Sequence, residues 1–463
     1  MLFQTWHFAL FFSIVTALFY SIGLKRGKIV LLLASYYFYA TWNAAYVVML
    51  LAITAIDYVC AIAIDGPALY RKRILVLGVV ANLALLGTLK YANFAIASWT
   101  SIFGPHQHVP VLDLLVPLGI SFHTFQSISY LVDVYRGKMR AIRAPLDYAL
   151  YLAFFPQLVS GPIVRAELFF RELAAWQRPS AQDMLDGLAS IVVGLVKKTV
   201  VADQFAVVAN AYFGNVATHP GAPAAWSGAF AFAIQIYFDF SGYTDIVIGL
   251  ARILGFAFPQ NFVRPYLANS LTDFWHRWHI TLSTWLRDYV YIPLGGSRGG
   301  ELATIRNLLL TMLLGGLWHG ASWTFVGWGA FHGVLLALER LTGRAKIAAN
   351  LRVGSLGWAL SLALTFALVT IGWVFFRAQT FETAFAIMRA MFAGGAGPVL
   401  LVPWQVSTVA LFFGFELWVE LRGAVRFRAL PAMLQVGVLA GFALALELLG
   451  YQGPSASFIY FRF

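Results

Sequence analysis

Long, nearly uncharged apolar runs dominate this sequence and place the chain in a membrane. Of its 463 residues, 60% are hydrophobic and 11% are charged, whereas a soluble domain carries about 25% charged residues. The composition therefore excludes a water-soluble globule and also a disordered chain. A β-barrel would show short alternating strands, but the runs here are unbroken. They predict an all-α polytopic membrane protein with about 11–13 membrane segments, including re-entrant helices, at roughly 20 residues per span.

Basic residues orient the chain in the membrane. Lys and Arg number 32 against 20 Asp and Glu, a formal net charge of +12. Cytoplasmic loops collect such an excess, so nucleic acid is not expected as a partner. The first apolar run, residues 8–24, is followed rather than preceded by Lys25, Arg26 and Lys28, the reverse of a cleavable signal peptide. Alternation along the chain then predicts that both termini are extracytoplasmic.

One apolar stretch carries helix breakers in its middle. Residues 146–164 contain Pro156, Gly161 and Pro162 and lie between two basic regions. Irregular backbone survives at membrane depth only where protein or a wet cavity satisfies it. We predict a re-entrant segment that enters from the cytoplasmic side; the alternative is a short kinked helical hairpin.

A histidine between two apolar runs is the sharpest catalytic candidate. His319 lies between Trp318 and Gly320, where residues 303–318 and 321–339 meet. Ionisable groups inside a membrane are costly and are therefore candidates for function. A neutral imidazole can take a proton from a hydroxyl group, so we interpret His319 as a general base. The alternative is a structural histidine bonded to a neighbouring carbonyl.

A second cluster lies in residues 252–302, the least membrane-like block, predicted to be cytoplasmic or half-sunk. Arginine suits a phosphate group and an aromatic face suits an adenine ring. The candidates for donor or substrate binding are Trp275, His276, Trp278, Arg287, Asp288 and, from the other motif, Trp318. His276 and His279 would share one helix face, but no carboxylate or cysteine pattern completes a metal site, and none is predicted. Pairing of Arg287 with Asp288 is the structural alternative.

Two further groups have competing interpretations. Asp239 and Asp245 lie in an apolar span, where the two acids either line a reaction cavity or pin a neighbouring helix. Asp239 and Ser241 of this span are further candidates for donor or substrate binding. At the C-terminus, Phe458, Tyr460 and Phe463 form either an interfacial aromatic belt or a tail whose phenol carries an acyl group as an ester.

Four ordered stretches of the chain resemble a known family. Residues 274–283 and 316–321 are similar to the two signature stretches of the membrane-bound O-acyltransferase family, and residues 237–243 and 117–122 match it as well. The similarity runs over roughly residues 1–345 and is closest to the bacterial branch that O-acetylates polysaccharides such as alginate.

The resemblance implies a site and a reaction. His319 would be the essential membrane-embedded histidine, His279 the accessory one, and Phe458, Tyr460 and Phe463 the acyl-relay motif. A ring of helices would surround a funnel open to the cytoplasm. The acyl donor would be a co-substrate, acetyl-CoA or another thioester, with no permanently bound cofactor.

The resemblance also implies a setting. The chain would be a single acyltransferase domain in the bacterial inner membrane, with a core over 110–345 and C-terminal helices and tail over 346–463. Its partners would be membrane lipid, a separate extracytoplasmic SGNH-type acyltransferase and the polysaccharide synthesis and export machinery. Two alternatives stay open: transfer of D-alanine or another acyl group from a carrier protein, and a transporter or flippase of acyl donor or glycan.

Overall fold

The chain is helical throughout the part described by the computed structural model, which covers residues 1–67, 69–104, 111–423, 427–451, 453 and 458–459. The helices are α1 Trp6–Ala40, α2 Ala44–Asp65, α3 Arg71–Leu86, α4 Ala92–Phe103, α5 Ile120–Tyr135, α6 Pro145–Ala153, α7 Ala166–Ala174, α8 Ala181–Val196, α9 Asp203–Gly214, α10 Ala222–Ile253, α11 Leu271–Arg277, α12 Ile280–Leu286, α13 Gly300–His319, α14 Trp323–Leu341, α15 Arg344–Ala349, α16 Leu356–Arg377, α17 Phe381–Phe392, α18 Pro403–Arg422 and α19 Ala432–Leu449. No β-strand occurs in these residues, so the all-α prediction is confirmed.

Among the residues that the structure describes, five helical stretches are long and apolar enough to cross a membrane. They are Trp6–Ala40, Ala44–Asp65, Arg71–Phe103, Leu356–Arg377 and Ala432–Leu449. Each reaches the 18 or more residues that a hydrocarbon core requires. The prediction of a polytopic membrane protein is thus confirmed, while the larger count of 11–13 segments stays a prediction.

The first span differs from its prediction in continuity. The sequence suggested an apolar run over 8–24 that ends before Lys25, whereas α1 is one 35-residue stretch, Trp6–Ala40, with a break at Gly23, where φ is +70°. Glycine adopts this left-handed conformation without a Cβ penalty. The basic cluster of Lys25, Arg26 and Lys28 follows this break within the same helical stretch. Lys28 pairs with Asp147 at 2.5 Å.

By its internal contacts the chain forms two units, residues 1–188 with 246–259 and residues 189–245 with 260–463. In the first unit, the predicted interruption is present, because residues 154–165 between α6 and α7 are not helical and 154–164 are buried. Side chains satisfy this backbone: the amide of Phe155 donates to Ser35 Oγ at 3.1 Å, and His123 Nε2 donates to the carbonyl of Leu158 at 2.6 Å. Protein side chains therefore satisfy backbone hydrogen-bonding groups of this irregular segment, which is the condition for such backbone inside a membrane.

In the second unit, α13 and α14 form a closely packed hairpin joined by residues 320–322. A Cβ on Gly316 would lie 2.3 Å from the carbonyl oxygen of Phe325, and one on Gly329 would lie 2.3 Å from that of Met312. Small residues allow such close approach of helices in membranes. Ser322 caps α14 by accepting a bond from the Thr324 amide. The hairpin fixes the position of the last residue of α13, which is His319.

Candidate active site

His319 ends α13 inside an aromatic enclosure. Its side chain is 3% exposed, and its ring centroid lies 5.1 Å from Trp328, 5.1 Å from Phe376 and 5.0 Å from Trp318. Gly320 turns to extended backbone after the helix. A side chain there would meet the Phe325 ring at 2.1 Å, so only glycine fits behind the histidine. The imidazole is held in a nearly dry, apolar setting.

His279 occupies a strained connection between α11 and α12. Its φ is +41°, one of two positive values at non-glycine residues in the described chain. Such strain clusters at functional sites and persists only where the surroundings enforce it. Here Asn261 enforces it: its carbonyl oxygen accepts from the Ile280 amide at 2.9 Å, and its Oδ1 accepts from the Thr281 amide at 3.1 Å.

Asn261 also sets the protonation of His279. The Thr281 amide can only donate, so the side-chain atom of Asn261 that faces it must be oxygen. The same Oδ1 lies 3.2 Å from His279 Nδ1, which makes Nδ1 the protonated nitrogen and leaves the Nε2 lone pair as the acceptor. Complete burial lowers the pKa of His279 to about 3, so the ring is neutral at ordinary pH.

The structure brings the two histidines together. Their ring centroids are 6.4 Å apart, and Trp318 lies 6.0 Å from His279. Phe240 of α10 packs on His279 edge to face at 4.7 Å. Two imidazoles in a buried aromatic site can accept a proton and orient a polar group.

The predicted helical face of His276 and His279 does not exist. Helix α11 ends at Arg277 and Trp278 is extended, so His276 is exposed whereas His279 is buried. The reason is the left-handed turn at His279, which no helical spacing rule anticipates. Within the described ranges, no group of three or more His, Cys, Asp or Glu could hold a metal ion.

Three of the predicted donor-binding residues line one cavity. Trp275, His276 and Arg287 border a space of about 290 Å³ together with apolar side chains that include Met312 and Leu336. Arg287 also pairs with Asp288 at 2.8 Å, as the structural alternative proposed. His319 is not among the described lining residues, so the funnel that reaches it stays a prediction.

The other predicted residues lie elsewhere. Trp278 is buried in the core against Trp373, with centroids 4.9 Å apart. Ser241 is buried, and its hydroxyl makes no hydrogen bond to a described residue. Asp239 pairs with Lys198 and with the backbone of Ile459. Phe458 is buried, whereas Tyr460 and Phe463 lie outside the described residues.

Two residues of this site were missed in the sequence. Asn261 carried no local signal, because its partners lie 18 and 20 positions away. Lys198 could have been found, because the carboxylate of Asp239 lies in an apolar span and needs a cation there. Lys197 and Lys198 are the nearest lysines that precede Asp239 in the sequence.

The site thus consists of two histidines buried among aromatic rings on a helical membrane scaffold. Residues 139–376 match the membrane-bound O-acyltransferase family, and the chain belongs to this family. It is 42% identical over 407 residues to the probable alginate O-acetylase AlgI of Pseudomonas aeruginosa, covering 86% of this chain and 74% of that protein.

Other relatives act on different polymers. The chain is 38% identical over 392 residues to the peptidoglycan O-acetyltransferase of Helicobacter pylori, covering 79% of this chain and 73% of the relative. It is 30% identical over 302 residues to the teichoic acid D-alanyltransferase of Bacillus subtilis, covering 61% and 74%. The predicted family and the assignment as an acyltransferase are thereby confirmed, and an enzyme is favoured over a transporter.

Proposed function

We propose that this protein takes an acetyl group from a cytoplasmic thioester, acetyl-CoA, and passes it across the membrane for O-acetylation of an extracytoplasmic polysaccharide. Two kinds of relative support this proposal, since one is named for alginate and the other for peptidoglycan acetylation. The observation that carries it is the buried His319 beside His279, 6.4 Å away. A hydroxyl nucleophile at this site would meet a base in a place from which water is largely excluded.

The first half-reaction forms an ester on the Tyr460 phenol. His319 takes the phenolic proton while the phenol oxygen attacks the thioester carbonyl. The carbon–sulfur bond breaks as the carbon–oxygen bond forms, and the leaving thiolate takes the proton from the imidazolium. General base catalysis of this kind contributes about 10²–10⁴-fold, which equals roughly 3–5 kcal/mol of barrier. His279 is the accessory histidine, and its neutral Nε2 serves as a hydrogen-bond acceptor in the site.

The proposal includes a location and partners. The protein would lie in the bacterial inner membrane, among its lipids, with both termini extracytoplasmic, so that an acetylated tail faces the receiving side. A separate SGNH-type transferase would move the acetyl group onto the polysaccharide, next to the synthesis and export machinery. The cavity of Trp275, His276 and Arg287 would hold part of the donor, because its arginine suits a phosphate and its apolar wall suits an alkyl arm.

The test is acetyl incorporation into polysaccharide in cells that carry His319→Ala or Tyr460→Phe. We expect His319→Ala to lower incorporation by about 10²–10⁴-fold through loss of the base. His332→Gln is the matched control, because His332 is also buried and also packs on Trp328, at 4.9 Å. Normal incorporation in well-expressed His319→Ala would refute the base role, and normal incorporation in Tyr460→Phe would remove the relay alone.

A second candidate is transfer of D-alanine or another acyl group from a carrier protein, which the Bacillus subtilis relative favours. Membranes incubated with acetyl-CoA labelled in its acetyl group separate the two. Label on the protein supports acetyl-CoA as the donor; label that appears only with a charged carrier protein supports the second candidate.

A further inference from the structure

We infer that Asp239, held by Lys198, is a positioning residue that anchors the C-terminal tail at Phe458 and Ile459 and thereby presents Tyr460 for acylation. The inference rests on the proposed relay through Tyr460. It gives Asp239 a role different from the donor binding suggested by its sequence, and it adds Lys198 to the machinery of the reaction.

The anchor is a direct bond from the tail backbone to a buried carboxylate. The amide of Ile459 donates to Asp239 Oδ2 at 2.7 Å, and Lys198 Nζ lies 2.6 Å from Asp239 Oδ1. Both oxygens of Asp239 are thus engaged. Asp239, Ile459 and Lys198 are all at most 5% exposed, so this bond is shielded from water and stronger than a surface contact.

Asp239 shares its lysine with a second carboxylate, and this explains why Asp239 also needs a backbone amide as a hydrogen-bond donor. Lys198 also pairs with Asp203 at 2.8 Å, so one buried cation is shared by two carboxylates. A buried carboxylate is costly unless hydrogen bonds complete its coordination. The Ile459 amide is such a donor for Asp239. The π-helical turn Lys197–Ala202 carries Lys198, and π turns occur often at functional sites.

A slot for one aromatic ring adds to the anchor. Lys198 Nζ lies 4.7 Å from the centroid of the Phe458 ring, a cation–π contact. Tyr243 packs edge to face on the same ring at 4.7 Å. The slot selects an aromatic residue directly before the amide that Asp239 binds, and this combination sets the register of the tail.

Helix α10 joins the anchor to the histidines. Asp239 binds the tail, while the next residue, Phe240, contacts His279 at 4.7 Å. Tyr460 is the next residue after Ile459, and consecutive Cα atoms are about 3.8 Å apart. The bond to Ile459 therefore holds the described end of the tail on the same helix that contacts His279. A tail held in this way has fewer positions and orientations to sample than a free tail, and this loss of freedom before the reaction is the usual origin of proximity effects.

The test compares two aspartates on the same helix in the full-length protein in detergent. Asp239→Leu removes the anchor and leaves Lys198 paired with Asp203. Asp245→Leu is the matched control, since Asp245 pairs with Lys197 at the same 2.6 Å on the same two elements. Each variant is incubated with acetyl-CoA labelled in its acetyl group, and label on Tyr460 is followed by mass spectrometry. Hydrogen exchange of the peptide that contains Ile459 is measured in parallel.

We expect Asp239→Leu to speed exchange at the Ile459 amide and to slow Tyr460 labelling, each by about 10-fold or more, as loss of a hydrogen bond to a charged group implies. Asp245→Leu should change neither by more than about 2-fold, as for loss of a partly exposed pair. Asp239→Asn keeps an oxygen acceptor and should restore most of the protection. A role confined to the ion pair would make Asn as damaging as Leu, and that result would overturn the inference.

Two further results keep the inference separate from the function it rests on. Phe458→Ala leaves the Lys198–Asp239 pair in place and should also speed exchange and slow labelling, which guards against an Asp239→Leu variant that does not fold. Unchanged exchange and labelling in Phe458→Ala and Asp239→Leu would refute the anchor. Absence of Tyr460 label in the unaltered protein would instead refute the relay, while the exchange data would still decide the anchor.

Discussion

Replacing Asn261 by alanine should release His279 from its strained position. The change removes Oδ1, which accepts from the Thr281 amide, from Thr281 Oγ1 at 2.9 Å and from His279 Nδ1. Each buried bond is worth about 1 kcal/mol, so three lost bonds predict a destabilisation of about 3 kcal/mol. Asn261 also acts as the cap of α12, because His279 at the N-cap position provides no side-chain cap.

The effect on catalysis follows from the tautomer. Without Oδ1, nothing in this contact keeps the proton on Nδ1, and the neutral acceptor at Nε2 is no longer assured. We expect acetyl transfer to fall by about 10-fold or more, comparable to the loss when the hydrogen-bond partner that orients a metal-bound histidine is removed. The assays are thermal unfolding in detergent and labelling with acetyl-CoA.

The control for this prediction is Asn261→Asp, which keeps an oxygen for Thr281. Its carboxylate should raise the pKa of His279 from its depressed value, because an adjacent negative charge favours the imidazolium. The acid limb of the pH–activity profile should therefore move to higher pH in Asn261→Asp. Unchanged stability and activity in Asn261→Ala would show that Asn261 neither holds nor orients His279.

Three further outcomes can be checked. Gly316→Ala should lower the free energy of unfolding by about 1–3 kcal/mol through overpacking, because its Cβ would lie 2.3 Å from a carbonyl oxygen of α14. The control Gly414→Ala, whose Cβ meets nothing within 4 Å, should be neutral or stabilising. Equal unfolding temperatures for the two variants would contradict the close helix contact. Lys198→Met strands two buried carboxylates and should destabilise by about 3–5 kcal/mol, measured by thermal unfolding. Arg287→Ala should raise KM for acetyl-CoA with kcat nearly unchanged, the sign of lost ground-state binding; an unaltered KM would remove Arg287 from the donor site.

The class of fold was readable from the sequence because it depends on composition. Apolar runs with 11% charged residues have no stable alternative to membrane helices. The break over residues 154–165 was also readable, since Pro156 and Gly161 act locally. His319 could be singled out for the same reason: a titratable residue between two apolar runs needs no tertiary information to be noticed.

The remaining parts of the site depend on contacts between distant residues. The Ile459–Asp239 bond joins positions 220 apart, and no periodicity encodes it. His276 and His279 looked like one face of a helix only because nothing nearby marked the end of α11; the turn is imposed by Asn261 from outside the helix. The cavity beside Trp275 likewise needs the packing of several consecutive elements, because its lining residues, all between 272 and 336, come from α11, α12, the π-helical turn Arg287–Tyr291, α13 and α14.

The irregular backbone between α6 and α7 has a consequence for how the chain enters the membrane. Its outside partners, Ser35 and His123, precede it in the sequence by 120 and 35 positions. Because domains are synthesised from the N-terminus onward, both side chains have left the ribosome before the residues they bind. Both partners are thus available when the segment is made, and neither the Phe155 amide nor the Leu158 carbonyl needs to wait for later helices.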